Sequence, residues 1–496
     1  MRRLRTTLAA PALATAVAAA PLAAQDGTAS TPLDAWVERV FETGATPGMA
    51  VAVVRGDSVV LLRALGVADA ATGRRVSEGT RFYVASTTKS FTALAAVLLE
   101  RHGAVKLDAP LAEALPGIAL HAGLDARRIT LRDLLAMRSG IGDGPVVTRT
   151  AYTGEFDAPL LLRLVARHPP TPGGHGSFAY GNVGYNLAGL ALERATGRDW
   201  KTIVDEAVFA PLGMRETHAR ISTVPDSLLA LPHEWEGGRL ARRPLLKTDR
   251  TMHAAGGHVS TARDLARWLT AQLGGGEVAG APGLPRDAIA ETHRRHVGQS
   301  RDFAFVHRTG WGLGWDIAEY RGETLLQRNG SFPGYYSHVS FMPGRRVGVV
   351  VLANGGLDGV GSETVAQGLY DLLLGAADTA ALDSLHARLA ARVAEARART
   401  APTAQPASAA LPHPIADYVG RYVSDELGTL ALERHGDGLV ARMGDSWGPA
   451  RALAGRADAL DARILGGERL LELRFDDGDG RVEEVVMRGV AFRRVR

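Results

Sequence analysis

Hydrophobic positions fall into three regimes along this 496-residue chain. From about Leu33 to Gly375, apolar helical stretches alternate with β-branched runs such as VAVVRGDSVVLL and VGVVVLANGG, the mixture expected of an α/β or α+β domain. In FYVASTTKSFTALAAVLLE, Phe91, Leu94, Val97 and Leu98 sit among alanines and make a helix apolar around most of its circumference. Such a helix is buried. Next, DTAALDSLHARLAARVAEARART carries Leu382, Leu385, Leu389 and Val393 at helical spacing, and the Pro/Ala/Ser stretch APTAQPASAALPHP behind it reads as a linker. From about Ile415 to Arg496 the apolar segments shorten to GTLALER, GLVARM, RLLELRF and RVEEVVMRGVAFRRV. Their alternation and frequent glycines predict a small all-β module. No repeat of fixed period is visible. The expected organisation is a leader over 1–24, a large mixed domain over 25–375, a helix and linker over 376–412, and the β module over 413–496.

The leader, MRRLRTTLAAPALATAVAAAPLAAQDG, has a basic start, an alanine-rich apolar run and a small-residue end. That layout predicts a secretory signal peptide cut after Ala24, and hence a periplasmic or secreted protein. The alternative, an uncut membrane anchor, is disfavoured by a short run broken at Pro11 and Pro21. Cleavage removes three arginines and no acid, taking the formal charge from +4 to +1. So slight a balance gives no argument for nucleic acid or an anionic membrane. No later run approaches the roughly 18 apolar residues of a spanning helix. Cysteine is absent, which excludes disulfides, thiolate metal sites and cysteine-linked lipid. Oligomeric state is not legible.

Charge usage supplies the first chemical signal. Of 57 basic residues only Lys89, Lys106, Lys201 and Lys247 are lysines. Lys89 nevertheless stands in an apolar helix, three residues after Ser86. Lysine loses its proton when desolvated, whereas arginine effectively does not. At i and i+3 the hydroxyl and amine share a face, so a buried Lys89 would be a general base beside a nucleophile. The competing reading is a solvated lysine beside a serine N-cap. At 178–190, FAYGNVGYNLAGL sets Tyr180 and Asn182 two residues apart ahead of an apolar helix. A phenol near a cationic amine can shuttle protons, and an amide can hold the lysine. Partly buried aromatics in a helix-entry turn are the plainer alternative. Residues 327–356, QRNGSFPGYYSHVSFMPGRRVGVVVLANGG, read as a glycine turn leading into adjacent strands, whose edge amides could donate to an oxyanion. The fifteen histidines show no His-Glu-x-x-His spacing, and no phosphate loop occurs, so neither a metal nor another cofactor is expected.

Taken in this order, the three elements resemble the serine β-lactamase and penicillin-binding-protein superfamily, in the branch of class C β-lactamases, D-alanyl-D-alanine carboxypeptidases, D-aminopeptidases and esterases. The resemblance covers roughly 33–375 and extends to ITLRDLLAMRSGIGD, PLGMRETHA, AAGGHVSTARDLARWL and GWGLGWDI. It implies an antiparallel sheet flanked by helices plus an all-helical region. It also implies Ser86 as acylated nucleophile, Lys89 as proton acceptor, Tyr180 as base and Asn182 as substrate-binding. The family's third motif, Lys or His, then any residue, then Gly, is replaced by Arg328-Asn329-Gly330. Backbone N–H groups of Ser86 and Ser331 would form the oxyanion hole.

Arg328 is the main departure. A guanidinium cannot relay protons; it could stabilise a Tyr180 phenolate or clamp a substrate carboxylate. A second is Met137, where relatives often carry histidine, read as structural. Lys247-Thr248 is followed by Asp249 and so is not the third motif. The C-terminal module, with YVGRYVSDELGTLALERHGDGLVARM, resembles the lipocalin-like β-domain often appended to this family. The expected activity is an exported serine hydrolase acting on an amide, ester or lactam, with a small-molecule or cell-wall peptide substrate. A non-catalytic binding relative and a transacylase are the alternatives.

Overall fold

The computed structural model describes residues 31–400 and 411–495, apart from positions 237, 245–246, 358, 454, 466, 477 and 479. The expected signal peptide and most of the Pro/Ala linker lie outside the described residues.

A ten-stranded antiparallel sheet organises the larger part. Its centre is Gly48–Arg55 between Ser58–Asp69 and Val347–Ala353, and Tyr335–Met342 pairs on the far side of the latter. Glu323–Gln327, Asp316–Tyr320, Val306–Trp311 and Val297–Phe303 continue the order to one edge. Helices cover both faces, which is why residues 49–54 and 347–353 are apolar at every position. Along Gly48–Arg55, Ala50, Ala52 and Val54 enter one core with Phe91, Leu94 and Trp268. Met49, Val51 and Val53 enter the other, with Trp36, Val365 and Leu369. Leu385, Leu389 and Val393 of helix Thr379–Thr400 belong to that second core. That helix packs against helices Pro32–Phe41 and Val360–Leu373.

The chain enters the site from strand Phe82–Tyr83, pinned against Val259–Ser260, through a three-ten turn at Ala85–Thr87 into helix Thr88–Arg101. The helix begins two residues later than Ser86, so the serine sits in the turn before it. Its residues from Thr88 to Leu98 are all buried.

The C-terminal segments close into a barrel of eight antiparallel strands in sequence order, Gly420–Ser424 to Val490–Arg494. Inward residues such as Tyr422, Leu430, Leu471 and Phe492 fill it, as expected for a small barrel. It docks on the larger part. Asp445 accepts from Thr248 at 2.8 Å and pairs with Arg250, and Arg149 donates to the Asp425 carbonyl at 2.8 Å. No helix among the described residues is long and apolar enough to cross a membrane.

Candidate active site

Ser86 lies in a turn whose preceding residue, Ala85, has φ of +44°. Left-handed backbone disfavours a residue with a Cβ, and the surrounding contacts hold it there. Ser337 donates to the Val84 carbonyl at 2.9 Å, and Thr87 donates to the Arg328 carbonyl at 3.0 Å. These bonds tie the turn to strand Gly330–Phe332 and its partner Tyr335–Met342. The Ser86 hydroxyl is thereby fixed, 9% exposed, between Lys89 Nζ at 3.0 Å and Tyr180 Oη at 2.7 Å.

Lys89 is completely buried. Its amine bonds Ser86 Oγ at 3.0 Å, Asn182 Oδ1 at 2.7 Å and the Ala255 carbonyl at 2.7 Å. Three partners are the full capacity of an ammonium. No carboxylate is among them. Burial pushes its pKa down, Tyr180 pulls it back, and the charge of Arg328 pushes it down further, leaving it below the usual lysine range.

Tyr180 leads toward helix Val183–Thr196. Burial pushes the phenol up, but the charges of Lys89 and Arg328 and the bonds to Ser86 and Lys89 outweigh it, and the net shift is downward. The residue as a whole remains 39% exposed. Lys89 and Tyr180 thus titrate as a pair around one hydroxyl. Tyr185, by contrast, is fully buried and donates to the Leu135 carbonyl, a packing role.

Asn182 is oriented by a residue that the sequence reading did not single out. Asp143 accepts from the Asn182 backbone N–H at 2.7 Å, from Asn182 Nδ2 at 3.0 Å and from Val183 N–H at 2.9 Å. With Nδ2 so held, the amide oxygen faces Lys89. Asp143 ends the family-like stretch ITLRDLLAMRSGIGD, but nothing local marks its partner 39 residues away. Met137 supports the same turn: its carbonyl accepts from Ala179 N–H at 2.8 Å and its sulfur from Gly181 N–H at 3.3 Å.

The third motif divides. Gln327 and Gly330 both pair with the same neighbouring strand, and Arg328-Asn329 forms the break between them. Arg328 is 5% exposed and paired with buried Asp316 at 3.3 Å, its guanidinium 5.1 Å from the Tyr180 ring centre and 5.0 Å from that of Trp311. Asp316 also holds Arg308 at 3.4 Å. Asn329 turns inward instead, donating to Glu363 at 2.7 Å and to the Tyr336 hydroxyl at 3.1 Å. Its side chain is spent on this buried network, so it positions the strand. Gly330 lies hard against the nucleophile turn: a Cβ there would meet the Val84 carbonyl at 2.0 Å and Ser86 N at 3.0 Å. Ser331 follows, exposed, and lines a cavity of about 470 Å³ that runs between the sheet and the barrel.

Comparison with known proteins places this geometry. The family model described as Beta-lactamase matches residues 33–371. Penicillin-binding protein 4 of Amycolatopsis lactamdurans is 30% identical over 342 residues, covering 65% of this chain and 85% of that protein. Unguisins hydrolase ungD of Aspergillus violaceofuscus is 29% identical over 362 residues, 66% of this chain; the match spans only 62% of that relative's length. Among solved structures, the octameric penicillin-binding protein homologue from Pyrococcus abyssi aligns with a TM-score of 0.59 at 20% identity, over 93% of this chain and 98% of that one. D-amino acid amidase from Ochrobactrum anthropi SV3 aligns with a TM-score of 0.57 at 23% identity, over 69% of this chain and 98% of that one. At these identities the structural likenesses speak to the fold. The family match takes in the whole mixed sheet and every member of the hydrogen-bonded cluster around Ser86, and by it the chain belongs to the beta-lactamase family, a family of serine hydrolases.

Proposed function

We propose that this chain is an exported serine hydrolase that forms a covalent acyl-enzyme at Ser86 on an amide, ester or lactam carbonyl. The observation that carries the reading is the Ser86 hydroxyl held between two groups, Lys89 and Tyr180, whose pKa values are both displaced downward. Lowering the amine favours its neutral form and lowering the phenol favours its anionic form, and either form can accept the Ser86 proton.

In acylation a Ser86 Oγ lone pair forms the bond to the carbonyl carbon, and the C=O π pair moves onto oxygen. The hydroxyl proton passes to the basic member of the Lys89–Tyr180 pair. Backbone N–H groups of Ser86 and Ser331 receive the oxyanion, and the close approach of Gly330 to the nucleophile turn supports that placement. Collapse restores the carbonyl and breaks its bond to the leaving nitrogen or oxygen, which takes the proton back from the relay. Water then repeats the sequence on the acyl-enzyme. Arg328, pinned by Asp316, contributes field rather than proton transfer.

The test is intact mass after exposure to a penicillin and, separately, to a small activated ester, with Ser86→Ala alongside. The expected result is an adduct that Ser86→Ala lacks; which reagent acylates separates a lactam-accepting pocket from an ester-accepting one. A folded protein that gains no adduct from either reagent would instead be a binding relative. Products formed with an added amine or alcohol would identify a transacylase.

A further inference from the structure

A second cavity, of about 350 Å³, lies on the face of the sheet opposite Ser86, between helices Val360–Leu373 and Thr379–Thr400. Alternation along strand Tyr335–Met342 fixes the sides. Val339 and Phe341 enter the core that holds Phe91 of the nucleophile helix, and Met342 enters the core of Trp36 and Val365. Tyr336, His338 and Ser340 share the side of Met342, and the Tyr336 ring forms part of the cavity wall. The cavity shares Tyr336 and Gly359 with the one that Ser331 lines.

Its two ends differ in charge. Glu363, 8% exposed, supplies the buried end. Oε1 of this carboxylate accepts from Asn329 Nδ2 and from the Tyr336 hydroxyl, each at 2.7 Å, and lies 3.0 Å from His338 Nδ1. Oε2 is buried and has no hydrogen-bond partner. An ionised carboxylate takes donors on both oxygens, and a buried oxygen left without one is costly. The nearby Arg308 feels this charge, but Asp316 holds it at 3.4 Å. At the solvent end stand Arg388 and Arg392, one helical turn apart and exposed. Arg388 donates to Ser384 Oγ at 2.6 Å, and neither guanidinium is paired with a carboxylate among the described residues. Phe305, Leu385 and Leu389 make the stretch between the two ends apolar. An acid at the buried end, an aromatic and aliphatic wall and two cations at the mouth complement a ligand whose ammonium and carboxylate are held apart by a short apolar chain.

We propose that this cavity is a second small-molecule site, which binds an ω-amino carboxylate with its ammonium on Glu363 Oε2 and its carboxylate between Arg388 and Arg392. Its occupancy does not depend on acylation of Ser86.

The test is calorimetric titration of the full-length chain with 6-aminohexanoate and with hexanoate, hexylamine and norleucine. These analogues lack the ammonium, lack the carboxylate, or carry both charges on a single carbon. The wild type is expected to bind 6-aminohexanoate at least about tenfold more tightly than any of them, the usual worth of a charge-assisted bond. Arg388→Gln/Arg392→Gln changes two exposed side chains. It should weaken 6-aminohexanoate by about tenfold and leave hexylamine no weaker, since that ligand gives the arginines nothing to hold. Glu363→Gln should bring 6-aminohexanoate down to the affinity of hexanoate. Because Glu363 also holds Asn329 and Tyr336, loss of the fold in that variant leaves the decision to the arginine pair. A wild type that binds 6-aminohexanoate no better than its analogues would overturn the proposal. So would an arginine variant that keeps the wild-type affinity, because the ligand would then sit elsewhere.

Discussion

Gly330→Ala is the sharpest probe of the site, because the structure says what the added methyl meets. A Cβ would lie 2.0 Å from the Val84 carbonyl oxygen, 2.6 Å from Ser337 Oγ and 3.0 Å from Ser86 N. A carbon needs roughly 3.3 Å from a carbonyl oxygen, so the strand or the nucleophile turn must move by more than about 1 Å. Gly330 is not among the glycines with positive φ, so its cost is steric and not conformational. Displacement of that size costs about 10²-fold in rate, and outright loss of an oxyanion donor about 10²–10³-fold. The expected result is kcat on an activated ester lowered by about 10²–10³, with stability reduced by about 1–3 kcal/mol from overpacking. Adding Ser337→Ala should not rescue it, since the backbone carbonyl of Val84 cannot be trimmed. Gly298→Ala is the control: nothing lies within 4 Å of its added Cβ, and both constants should match the wild type. Steady-state kinetics and thermal denaturation read both quantities. A Gly330→Ala enzyme with kcat within threefold of wild type and an unchanged Tm would refute the placement of this strand against Ser86.

Further outcomes follow from the same contacts. Asp143→Ala, which removes the acceptor of three Asn182 and Val183 N–H bonds, should lower kcat by about ten- to a hundredfold with less effect on KM, and Asp143→Asn should recover part. Arg328→Met removes a cation that depresses both Lys89 and Tyr180. Both pKa values rise, so the acid limb of the acylation pH profile should move upward; an unmoved limb would deny Arg328 its field role. Lys247, buried and lowered to about 7, makes stability rise with pH between about 7 and its ordinary 10.5, because over that window the unfolded state binds the extra proton. Lys247→Met should flatten denaturant-measured stability over that window, by up to about 1 kcal/mol per pH unit.

What the chain discloses by itself depends on how far apart the partners lie. Ser86 and Lys89 are three residues apart and Tyr180 and Asn182 two, so pattern alone raises each pair. The alternating C-terminal segments likewise announce strands, and they close into a barrel. Asp143 escapes notice because its function is to accept bonds from a turn distant in sequence, for which an aspartate after glycine is no signal. The Ala255 carbonyl escapes because backbone carries no residue signature at all. Arg328 was legible as a departure, but its partner Asp316 was not, because strand pairing alone brings that carboxylate alongside. Asn329 shares the motif's position yet is drawn inward by Glu363, on a helix beyond three further strands. Leu385, Leu389 and Val393 gave the period of a helix without naming the two helices that it packs against.

The division of labour between lysine and arginine follows from the same burial. Arg308 and Arg328 are almost wholly enclosed, and both meet the carboxylate of Asp316. Lys89 and Lys247 are as deeply enclosed, and both meet oxygens that carry no formal charge: a hydroxyl, an amide and a carbonyl for the first, the Thr248 and Thr251 carbonyls for the second. A buried cation without a counter-ion is relieved by losing its proton, which lysine can do and arginine cannot. Where the fold supplies Asp316 the chain therefore keeps a permanent charge, and where it supplies only neutral acceptors it keeps an amine whose charge is negotiable. Exchanging the two types would act differently at the two places. A guanidinium at 89 could never take the serine proton, and a lysine at 328 would add a third titrating group to a relay that now runs between two.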